Sequence, residues 1–126
     1  MTPPCTTDFD DWLVAAFART GGFTMLIVLV EIGETTVTPL RSSYVHVIGD
    51  ETRWPDMTAL FARAGADWDG AAFFQADQSG LVPDNLARQR LASLTRHLET
   101  DRSIINRGEF FDTRGLRLKL EEIKPH

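Results

Sequence analysis

The residues of this 126-residue chain with the chemistry for metal binding or catalysis are three histidines, one cysteine and eighteen carboxylates. The histidines are His46, His97 and His126, and none has a second histidine at i+2 or i+4. Zinc sites in short chains show clustered Cys and His ligands, so no metal site is expected. Asp67 and Asp69 flank Trp68, but the ligand spacing and closing glutamate of an EF-hand are missing. One grouping has the right types close together: His46 precedes Asp50 and Glu51 at the end of an apolar segment.

Nucleophilic catalysis finds less support. Ser79 stands in Asp77-Gln78-Ser79-Gly80, which lacks the Gly-x-Ser-x-Gly elbow. Ser42 and Ser43 lie near His46 along one segment, where only a returning chain could align them for proton transfer. Cys5 falls in the N-terminal tail, with nothing beside it to lower its pKa. No Gly-rich phosphate cradle is present, so no catalytic residue and no cofactor is assigned, and the reaction class stays open.

The aromatic residues offer more. Trp54 and Trp68, with His46 and Asp50, make a candidate small-ligand pocket at the ends of the sheet. Phe73-Phe74 and Phe110-Phe111 are doublets, and consecutive strand residues face opposite sides. Either the sheet is covered on both sides there, or one ring of each doublet is exposed. An exposed ring would give Phe110 or Phe111, with Leu118 nearby, the apolar centre of a contact with a second protein.

The elements that must position these residues follow from periodicity. Phe23–Val30 is a continuous apolar run bracketed by Gly21-Gly22 and Gly33, of strand length, and reads as a strand buried on both faces. Before it, Thr7 and Asp10 form a capping-box pattern. Phe9, Trp12, Leu13, Ala16 and Phe17 then make one helical stripe. After it, Thr35–Arg41 and Ser43–Ile48 read as two further strands, with Pro39 marking an edge or an irregular end. Pro55 opens a second helix through Met57, Leu60, Phe61 and Ala64. Gly70–Ala76 is a fourth strand, and Pro83-Asp84 start a third helix, with its break either near Thr100 or at about Asn106. Glu109–Asp112 and Leu116–Ile123 close the chain as strands. The order α-β-β-β-α-β-α-β-β predicts an α+β domain of residues 7–123 between tails 1–6 and 124–126. Three helices should pack on one face of a mostly antiparallel sheet of five to six strands, with a partly closed barrel as the alternative.

Composition sets the outer limits. With 43% hydrophobic and 25% charged residues the chain is of ordinary globular type. No apolar run approaches the roughly 18 residues of a membrane helix, and no signal-peptide pattern is visible, so a cytoplasmic protein without membrane association is expected. The net charge of −5 is uneven. Residues 1–85 carry four arginines and no lysine against twelve acids (−8), whereas residues 86–126 carry seven arginines and two lysines against six acids (+3). Overall acidity argues against nucleic-acid binding, although Arg88, Arg90, Arg96, Arg107 and Arg114 keep an RNA surface as a minor alternative. The expected function is a non-enzymatic interaction module that self-associates as a homodimer or binds another protein. A ligand-binding protein or enzyme using the His46 pocket is the alternative.

Overall fold

The computed structural model describes residues 7–33, 37–49, 51–65, 67–77, 80–101 and 107–118. Helix α1 (Asp8–Thr20) opens on the expected capping box. The Thr7 hydroxyl accepts from Asp10 N at 3.1 Å, and Asp10 Oδ2 accepts from Thr7 N at 3.3 Å. Gly21, at φ +70°, stops it in a conformation that side chains disfavour. Then come β1 (Phe23–Ile32), β2 (Val37–Val47), α2 (Trp54–Ala62), β3 (Gly70–Gln75), α3 (Asp84–Thr100) and β4 (Glu109–Asp112). The chain is α+β, and its four strands form an open antiparallel sheet of order β2-β1-β3-β4.

Both faces of this sheet are covered, which corrects the expectation of helices on one face. Phe23, Met25, Ile27 and Leu29 point toward α1 and α2, where they meet Phe9, Leu13, Met57 and Phe61. Val28 and Val30 meet Leu98 of α3, and Leu26 meets Ala87 of the same helix. The physical reason lies in β1 itself, whose residues from Phe23 to Val30 are all buried. A strand apolar at both parities needs cover on both sides, because each large apolar side chain left in water would forfeit about 1.5–3 kcal/mol.

The segments Thr35–Arg41 and Ser43–Ile48 are not two strands. Within the described residues β2 runs unbroken through Ser42, which pairs with Val28 as its neighbours pair with theirs. The irregularity sits at Leu40: Leu29 pairs with Arg41 and Val30 with Pro39, leaving Leu40 as the extra residue of a bulge. Pro39 is therefore on an edge strand beside a bulge, where its missing N–H is tolerated. The described residues form four strands rather than five or six, and the sheet ends at β2 and β4 instead of closing into a barrel. Helix α3 stops at Thr100, where Asp101 N donates to His97 O at 2.8 Å; Ile105 and Asn106 lie outside the described residues. Of the expected last strand, the described part makes one bridge, Arg117 to Phe111, and residues 119–123 lie outside.

The aromatic doublets resolve as rings on both covered faces. Phe73 and Phe111 enter the α1/α2 core 5.7 Å apart, edge to face, and Phe9 meets Phe111 at 5.5 Å. Phe110 and Phe74 turn the other way, toward α3. No helix of the described residues is long and apolar enough to cross a membrane.

Candidate functional site

His46 is hydrogen-bonded through both ring nitrogens. It sits opposite Thr24 in the β1–β2 ladder, so both side chains face α3. Thr24 Oγ1 accepts from Val82 N at 3.0 Å, which leaves its hydroxyl proton for His46 Nδ1, 2.8 Å away. His46 Nε2 then donates to Asp84 Oδ1 at 2.6 Å. Asp84 occupies the first turn of α3, where the helix dipole favours a carboxylate. The hydrogen bond from His46 holds the Asp84 carboxyl below its usual value against the opposing effect of burial, and the charges of His46 and Arg88 and a bond with Tyr44 act in the same sense as the His46 bond.

Hydroxyl, imidazole and carboxylate in this order are the groups of a nucleophilic triad. The geometry does not allow that chemistry. Thr24 is completely buried, so its oxygen cannot reach a substrate, and both imidazole nitrogens are engaged. The chain of bonds is a strut that ties edge strand β2 to the start of α3.

The other residues expected beside His46 lie elsewhere. Trp54 and Trp68 stand on the opposite face, their rings 6.1 Å apart and edge to face. Trp54 is buried: its backbone N donates to Asp10 Oδ1 at 2.8 Å and its indole N–H to Thr113 O at 3.1 Å. Asp50, Ser79, Cys5 and His126 lie outside the described residues. Among the described residues no group of His, Cys, Asp or Glu is placed to hold a metal ion. Phe111 is 0% and Phe110 4% exposed, and Leu118 is half-buried against the α3-side core, so these three side chains serve the chain's own packing.

The two edges of the sheet differ. Outside β4 the chain returns on itself: Asp112 N donates to Leu116 O at 2.9 Å and Leu118 N to Phe110 O at 2.8 Å. On the outer side of β2, among the described residues, no strand pairs with Arg41–Val47. This edge also carries a groove on each side. Ser43 shares the α2 face with Ile27, and the groove beside it holds about 320 Å³ between Ile27, Leu29, Leu60 and Phe61. Ser42 shares the α3 face with Val28, and its groove holds about 290 Å³, reaching Thr95 and Glu99. Neighbouring strand residues alternate between faces, so a doublet of the smallest hydroxyl side chain opens one groove on each.

No family model matches the chain, and comparison with curated proteins and with solved structures finds no match. The geometry of the site therefore carries the functional reading. Thr24 and Asp84 were not legible as partners of His46, being 22 positions before it and 38 after it. The grooves did leave a sequence signal. Ser42-Ser43 lies inside a strand otherwise rich in β-branched and large residues, and its small size matters more there than its nucleophilicity.

Proposed function

We propose that this chain is a protein-interaction module that binds an extended segment of its partner along the outer edge of β2, from Arg41 to Val47. The observation that carries the reading is the asymmetry of the sheet. The β4 edge is occupied by the chain's own Leu116–Leu118, whereas the β2 edge is free of strand partners among the described residues and has a groove on either side. Strand addition draws affinity from main-chain hydrogen bonds and specificity from pockets that take alternate side chains. The Leu40 bulge and Pro39 block pairing at the start of β2, which fixes where an added strand can begin. The His46–Asp84 strut holds the other end of that edge in place. The partner is either another protein or a second copy of this chain.

Peptides selected from a random display library test the reading. Binders should perturb the amide resonances of residues 41–47 and protect those amides from exchange. In a strand, alternate N–H groups point outward, so one of Ser42→Pro and Ser43→Pro removes an outward donor and should keep the fold while losing the peptides. Binders that perturb α1 or β4 instead, and survive both substitutions, would overturn it.

A further inference from the structure

The α2-side groove has a chemical bias that names its occupant. Its floor is apolar, from Ile27, Leu29 and Phe61, and its rim carries two exposed guanidinium groups, Arg41 and Arg63. Among the described residues no acid lines it and neither arginine forms an ion pair. The Arg41 guanidinium donates to its neighbour's carbonyl, Leu40 O, at 3.0 Å. The groove on the α3 side is different, because an acid, Glu99, is among its lining residues.

Resting on the strand-addition reading, we infer that the β2 edge takes an acidic, extended segment of a different protein carrying an acidic-x-apolar pattern. Residues i and i+2 of an added strand share a face. The one opposite Ser43 drops its apolar side chain onto Phe61 and Leu60, where the small serine leaves room. The one opposite Arg41 places its carboxylate between the two guanidinium groups. The residue between them faces the α3 side, where Glu99 disfavours an acid.

Charge also decides against a second copy. Antiparallel pairing of β2 with itself about a two-fold axis perpendicular to the sheet keeps each face on its own side. With pairing confined to Arg41–Val47, the axis passes near Tyr44, Arg41 of each copy lies opposite Val47 of the other, and the grooves of two copies offer the guanidinium groups no carboxylate. A second copy therefore leaves these guanidinium groups without a counter-charge, whereas an acidic partner supplies one.

Fluorescence anisotropy with strand-length peptides tests this directly. A Glu-Ser-Val-Ser repeat should bind about tenfold more tightly than a Lys-Ser-Val-Ser repeat at low salt, the gap reflecting two exposed charge pairs. Added salt should narrow it. Arg41→Glu combined with Arg63→Glu should reverse the order, and Ser43→Trp, which fills the groove, should abolish binding of both; circular dichroism checks that each variant folds. If both repeats bind equally and Ser43→Trp abolishes both, the acidic partner is wrong and strand addition stands. If neither binds and light scattering gives twice the 14.1 kDa of the chain, halved by Ser43→Trp, the occupant is a second copy and the acidic partner is again wrong. If neither binds and the mass is 14.1 kDa, both readings fall.

Discussion

His46 on the edge strand and Asp84 at the start of α3 lie 2.6 Å apart across 38 positions of sequence. This contact joins the sheet edge to the helix that covers the α3 face, and its strength depends on the charge of Asp84. The Asp84 carboxyl is held below its usual value, first by the hydrogen bond from His46. A carboxyl lowered in the folded state contributes stability above the unfolded value and loses it as pH falls through the folded one. Asp84→Asn should therefore lower the melting temperature at neutral pH, and the gap to the parent should close as the pH is taken below about 4. Some acid sensitivity should persist in the variant. Asp112 is also lowered: burial pushes its carboxyl up, but the bonds from Leu116 N and Arg114 outweigh it. A gap that stays constant into acid would show that the strut does not depend on the carboxylate.

Gly115 lies under the indole of Trp54 at φ +80°, and a Cβ there would stand 2.7 Å from Trp54 Cγ. Gly65 has a similar φ of +66° with nothing within 4 Å of a Cβ. Gly65→Ala should cost about 1–2 kcal/mol, the conformational penalty alone. Gly115→Ala adds overpacking of about 1–3 kcal/mol to that penalty. Urea denaturation of the two variants separates the terms, and equal costs would mean that the Trp54 contact is not tight.

Leu98 tests the two-faced core. It is completely buried on α3, in a cluster with Val28 and Val30. Leu98→Ala should cost about 2–5 kcal/mol, as for a core leucine. A helix lying loosely on the surface would lose under about 0.5 kcal/mol instead. Thermal melts distinguish the two.

Asp10 joins two helix starts. Its Oδ2 caps α1 at Thr7 N and its Oδ1 accepts from the buried Trp54 N at the start of α2. Asp10→Ala removes both acceptors and leaves a buried donor unpaired, a loss of about 1–3 kcal/mol beyond the cap itself. Thr7→Ala removes only the cap, about 1 kcal/mol. Chemical denaturation should rank Asp10→Ala as the worse; the opposite order would mean that Trp54 N finds another acceptor.

Local patterns in the sequence carried much of this protein. Thr7 and Asp10 wrote the start of α1, and the apolar run Phe23–Val30 wrote a strand buried on both faces, because capping and burial depend on neighbours in sequence. Pro39 marked an edge, as its missing N–H requires. Tertiary structure decided the rest. Nothing local reveals that α3 crosses to the other face of the sheet, although β1 demanded some cover there. The pairing of His46 with Thr24 and Asp84, and its separation from Trp54 and Trp68, follow from strand register and helix placement. The same holds for the edge at Ser42 and Ser43. Their small size is written in the sequence, but a groove exists only where neighbouring elements form its walls, and only the packing of α2 and α3 against β1 placed those walls.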